Sequence, residues 1–167
     1  GISLKYAGVR TVIEYNDVHH MNLETYDTGA IEVTQRLKSE PSGGKIRHNL
    51  VHHSIGYGGM RDDTVLASSN GVYLDSFAAG YEVAHNVVYA CDDAVFVQGG
   101  RGNTIHDNIL AADGRSQIRY ANHKQMAFDT RVFRNIMVLP NPDVVVLNAS
   151  AIDREHLVEC DRNLIFA

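Results

Sequence analysis

The sequence predicts an all-β solenoid, a parallel β-helix of about six coils with three short strands each. Three observations carry this expectation. A motif of the form apolar-x-x-Asn-x-apolar recurs six times, a second strand-like run recurs ahead of each Asn, and no helix-period stripe lies between them.

The first recurrence is centred on Asn16, Asn49, Asn86, Asn108, Asn135 and Asn163. Three residues before each stand Ile13, Ile46, Val83, Ile105, Val132 and Cys160. Two residues after stand Val18, Val51, Val88, Leu110, Met137 and Ile165. Such spacing puts a short strand on each side of a tight corner. Asn suits that corner because it tolerates the left-handed region and can hydrogen-bond to a copy of itself one coil away.

The second recurrence is Ile2-Ser3-Leu4, Ile31-Glu32-Val33, Val72-Tyr73-Leu74, Val95-Phe96-Val97, Ile118-Arg119-Tyr120 and Val145-Val146-Leu147. Alternation turns the outer two residues of each triplet inward and the middle one outward. Val and Ile together number 29, which favours pleated structure. Strands this short cannot bury a face alone, so they stack coil on coil at ~4.8 Å.

Two insertions, Gln35 to Gly44 and Ser54 to Ser69, interrupt the second repeat. Long loops on a rigid scaffold are where binding and catalysis concentrate. These two flank one strand family and would wall a groove along it. Tyr57 and Arg61 lie in the second.

Composition narrows the function. Fifteen Lys and Arg against twenty Asp and Glu give a net charge of −5, which argues against nucleic acid or an anionic membrane as main partner. No run approaches the ~18 apolar residues of a membrane-spanning helix. Cys91 and Cys160 are expected as two small buried thiols rather than a disulfide framework. The chain reads as one domain over 1–167, part of a longer β-helix, with its ends meeting flanking coils or one another.

The outward column of the first strand family reads Ser3, Glu32, Tyr73, Phe96, Arg119 and Val146. Two residues further along it reads Lys5, Thr34, Asp75, Gln98, Ala121 and Asn148. Carboxylates, aromatic rings and an arginine in line suit a sugar chain, because rings stack on pyranose faces and charged groups bind hydroxyls or uronates. Glu32 and Asp75 sit on adjacent coils, offset by two residues, so their Cβ atoms are expected roughly 8 Å apart. That spans the carboxylate spacings of both retaining and inverting glycosidases. Asp27, Asp62, Asp63, Asp92 and Asp93 cluster in turns leading into these strands. His19-His20 and His52-His53 occupy matching positions, as do His48 and His85, and such columns are expected to stack. No HExxH or EF-hand pattern is present, and no metal or other cofactor is expected.

Asn70-Gly-Val-Tyr-Leu-Asp-Ser76, Gly80-Tyr-Glu-Val-Ala-His-Asn-Val-Val-Tyr89, Val95-Phe-Val-Gln-Gly-Gly-Arg-Gly-Asn103 and Asp27-Thr-Gly-Ala-Ile31 together resemble the right-handed parallel β-helix family of carbohydrate-active proteins. The resemblance runs through nearly the whole chain and is closest over 27–110. Its nearest motif likeness is to β-helix glycoside hydrolases. It implies Asp75 as nucleophile or base, in Gly-Val-Tyr-Leu-Asp, with a Glu one coil later as acid. Here that later position is Gln98, which cannot protonate a leaving group. Glu32, Asp27 or a histidine then supplies the proton, with Glu32 the leading acid, and Tyr57, Arg61, Tyr73, Phe96, Gln98 and Arg119 bind substrate. The implied function is hydrolysis of a plant or algal polysaccharide or oligosaccharide, outside the cell or in the periplasm. A polysaccharide lyase on uronate polymers, with Arg119 or a histidine assisting, and a non-catalytic carbohydrate-binding or structural β-helix are the alternatives.

Overall fold

The computed structural model describes residues 1–6, 8–36, 40–56, 68–150 and 156–167. Six coils follow one another. They comprise β1 (Ile2–Lys5), β2 (Val12–Glu14) and β3 (Asp17–Met21), then β4 (Thr28–Thr34), β5 (Lys45–Arg47) and β6 (Leu50–Ser54). Next come β7 (Ser69–Asp75), β8 (Glu82–Ala84) and β9 (Val87–Cys91), then β10 (Asp93–Gln98), β11 (Thr104–His106) and β12 (Ile109–Ala111). The last two coils hold β13 (Ser116–Ala121), β14 (Thr130–Phe133) and β15 (Ile136–Val138), and β16 (Val145–Ser150), β17 (Leu157–Asp161) and β18 (Leu164–Phe166). Every third strand pairs in parallel, giving three six-stranded sheets, β1-β4-β7-β10-β13-β16, β2-β5-β8-β11-β14-β17 and β3-β6-β9-β12-β15-β18. The chain is the parallel β-helix its repeats predict.

The inward columns are aliphatic and closed to water. Ile31, Val72, Val95 and Ile118 line the first sheet, Ile46, Val83 and Ile105 the second, and Val51, Val88 and Leu110 the third, all at 0–1% exposure. Each such side chain contributes roughly 1.5–3 kcal/mol relative to exposure. Gly71 marks where the first sheet closes on the third, since a Cβ there would lie 2.3 Å from Val88 Cγ1.

The asparagine corner works by a division of labour the sequence did not indicate. The left-handed residue is the one before each Asn: Tyr15, His48, His85, Asp107, Arg134 and Arg162 have φ of 52–58°. The asparagines instead form a continuous ladder. Asn49 donates its backbone N–H and its Nδ2–H to Asn86 Oδ1, both at 3.0 Å, and the same pair of bonds links Asn16 to Asn49, Asn86 to Asn108, Asn108 to Asn135 and Asn135 to Asn163. Nδ2 also caps a carbonyl of the coil behind, as Asn86 does for Ile46 at 2.9 Å.

Two further expectations are corrected. In the sixth coil the pairing is Ile118 to Leu147 and Arg119 to Asn148, so Asn148, not Val146, continues the outer column. A two-residue slide leaves every side chain on its own face, so alternation alone could not fix this register. Cys91 is buried, but Cys160 is exposed. It occupies the inward column opposite Val132, on the last described coil.

Candidate active site

The outer face of the first sheet gathers the residues singled out from sequence, and register fixes their order. Ser3, Glu32, Tyr73, Phe96 and Arg119 lie on consecutive strands. Asp75 pairs with Thr34, one coil on from Glu32 and two residues along.

This face is less open than a column of solvent-facing side chains. Tyr73 and Phe96 are each 2% exposed and Glu32 is 7% exposed. The Tyr73 and Phe96 rings stack at 4.6 Å and 10°. The Arg119 guanidinium caps Phe96 at 4.2 Å from its centroid. Phe96 thus has a partner on each face, and neither is left for a pyranose ring. Coils are spaced so that planar groups on neighbouring strands meet one another first.

Each carboxylate has a different setting. Glu32 accepts a hydrogen bond from Thr28 Oγ1 at 2.8 Å. Asp75 is half-buried, at the rim. It accepts from Ser76 Oγ at 2.9 Å and stands 3.4 Å from Thr34 Oγ1. The Tyr73 hydroxyl is held far above its ordinary range, first by burial and then by the negative charges of Asp75 and Asp27. It therefore remains a proton donor through neutral pH. Asp27 is exposed, adopts φ 54°, and lies close enough for its charge to act on Tyr73.

Arg119 is anchored by a residue that sequence reasoning left as a turn former. Asp93 belongs to β10, is fully buried, and places Oδ2 3.5 Å from both Arg119 and Arg115. Its other oxygen takes a very short hydrogen bond from Ser116 Oγ. Burial is the leading influence on the Asp93 carboxyl and pushes it up. Ser68 accepts a further bond from Arg119 at 3.3 Å. The available signal was positional: Asp93 stands in register between Asn70 and Ser116, a polar row at the start of the strands.

Gln98 is half-buried and pairs with Ala121 at the rim. Tyr57, Arg61, Asp62 and Asp63 lie outside the described residues. Asp92 lies at the corner before β10, turned to a cleft on another side of the molecule.

The histidines form columns on the third sheet and its corners. His19 stacks on His52 at 5.0 Å, His20 on His53 at 5.0 Å, and His48 on His85 at 4.9 Å. Adjacent imidazoles are also hydrogen-bonded, Nδ1 to Nδ1, at 2.8 Å for His19–His20 and 2.7 Å for His52–His53. Among the described residues, no group of three or more His, Cys, Asp or Glu is arranged to hold a metal ion.

No protein-family model, curated protein or solved structure matches the chain.

Proposed function

We propose that the outer face of the first sheet hydrolyses glycosidic bonds in a polysaccharide or oligosaccharide. The observation that supports this most is that two outer-face carboxylates, Asp75 and Glu32, stand on adjacent coils, offset by two residues along the strand. Tyr73 lies in register with Glu32 and within reach of Asp75. Asp75, supplied with donors, acts as nucleophile or base. Glu32 or Asp27 delivers the proton to the leaving oxygen, while Arg119 and Gln98 bind sugar hydroxyls or a uronate carboxylate. The resemblance to β-helix glycoside hydrolases agrees with the role given to Asp75.

A second reading, a non-catalytic carbohydrate-binding or structural β-helix, is favoured by the enclosure of Glu32 at 7% exposure, and the occupied faces of Phe96 weigh toward its structural form.

A panel of polysaccharides and aryl glycosides, scored for new reducing ends and for unsaturated uronate absorbance, tests both. Reducing ends without unsaturation, lost in Asp75→Asn, is the expected result. Unsaturated products would replace hydrolysis by a lyase reaction. Saturable oligosaccharide binding with no product would favour the second reading.

A further inference from the structure

A cleft of about 250 Å3 opens at the corner between the third and first sheets, away from the outer face just described. Its position follows from one change of side chain. His20, His53 and Ala90 occupy equivalent positions on three successive coils, with φ of 51°, 52° and 52°. The pairings His52 to Tyr89 and Ser54 to Cys91 place His53 level with Ala90. His20 and His53 stack at 5.0 Å with planes 2° apart. At Ala90 the column changes from an imidazole to a methyl group, and the space beside that methyl is the cleft. His53 borders it from the coil before, Ala90, Cys91 and Asp92 from the same coil, and Asp113 from the coil after.

The His53 ring is a fixed platform. Its Nδ1 is bonded to His52 Nδ1 at 2.7 Å, and His52 Nε2 lies 3.2 Å from Asp17 Oδ1. Tyr89 meets His53 edge-on at 5.8 Å. The ring's N–H and tautomer are thereby tied to a chain that ends on a carboxylate.

We propose that this cleft binds a planar delocalised cation, of the guanidinium or imidazolium type, stacked on His53 in continuation of the histidine column. Three features select that chemistry. The platform is a flat ring with a coil-spaced slot beside it, which suits a planar group. The charged side chains lining the slot, Asp92 and Asp113, are both acidic. Asp92 already accepts a bond from the Ser69 N–H at 3.0 Å, and Arg115, at 4.0 Å, is the one cation within ion-pair reach of it among the described residues. Burial holds the Asp92 carboxyl above its ordinary range, so its ionised form gains from a cation alongside. The site is independent of the glycosidase reading and stands if that reading fails.

The test is a titration with N-methylguanidinium chloride, followed through the ring resonances of His53 and His20. Tetramethylammonium chloride serves as the non-planar cation. The expected result is a saturable shift at His53 with none at His20, and no comparable response to tetramethylammonium. Asp113→Asn, at an exposed turn position, weakens the binding roughly three- to fivefold. Ala90→His fills the slot and abolishes it. A shift that does not saturate, equal movement of both rings, equal response to the two cations, or unchanged affinity in Asp113→Asn would each overturn the proposal. The wild-type and Asp113→Asn titrations decide it even if Ala90→His does not fold.

Discussion

Along the second corner the same side chain is repeated on all six coils, whereas along the outer face of the first sheet no two neighbouring coils carry the same one. Both are in-register columns on one scaffold, and they spend their side chains differently. Each of the four inner asparagines bonds to its neighbours on both sides, so the column gains from being uniform. Glu32, Tyr73, Phe96 and Arg119 each meet a chemically different partner, so that column offers a carboxylate, a phenol, a ring and a guanidinium within a few coils. Uniform columns hold a solenoid together. A mixed column sets different chemical groups side by side.

The largest effect is expected from breaking the uniform column at its centre. Asn86→Ala removes the acceptor of two Asn49 donors and the donor to the Ile46 carbonyl, all buried. Unmade buried hydrogen bonds cost about 1–3 kcal/mol each, so urea unfolding should show a loss of roughly 3–6 kcal/mol. Asn16→Ala, on the first coil, should cost only about 1 kcal/mol. Equal losses would mean that the ladder is not the source of the stability.

The mixed column should respond to the loss of its central ring. Phe96→Ala removes the plane between Tyr73 and Arg119, and unfolding should show a cost of about 3 kcal/mol. Phe96→Leu should restore part of the burial but not the stacking.

A subtler contrast comes from pH. Burial raises the folded-state carboxyl of Asp93 above its ordinary value of 3.8. Folding then takes up a proton in that window, so the contribution of Asp93 is greatest below 3.8 and falls as pH rises through its folded value. Asp107 has the opposite sign, because hydrogen bonds from Arg134 hold its carboxyl below the usual range. Its contribution is present above 3.8 and is lost as pH falls through the lowered value. Urea midpoints of Asp93→Asn and Asp107→Asn relative to wild type should therefore move in opposite directions as pH rises from acid. Parallel curves would contradict the assignment.

The smallest effect separates the two thiols. Cys160 is exposed, and Cys91 is buried. A thiol reagent should titrate one cysteine in the native protein and both after denaturation.

Much of this architecture was legible because a repeat writes each rule several times. The coil count, the inward columns and the pairing of the first five outer-face positions all followed from alternation and from the spacing around Asn. The sixth register did not, since a slide of two residues in Val145–Leu147 preserves the faces. The left-handed role of Tyr15, His48 and His85 was hidden because the repeated Asn drew the inference to itself. At the site, sequence placed Glu32 and Asp75 on the right strands, one coil apart. It could not show that Tyr73 and Phe96 satisfy one another, nor that Asp93 anchors Arg119. Both depend on contacts between residues some twenty positions apart, which only the coil length brings together.

On the proposed function, a change at Asp75, on the rim beside the mixed column, costs turnover without costing fold, and a change in the uniform column does the reverse. The most direct measurement is reducing-end release per folded molecule, taken with the melting midpoint, for Asp75→Asn and Asn86→Ala beside wild type. The account predicts that Asp75→Asn loses turnover with its midpoint nearly unchanged. Asn86→Ala should melt at lower temperature yet turn over normally below that midpoint. Full turnover in Asp75→Asn, or unfolding caused by that substitution alone, would contradict it.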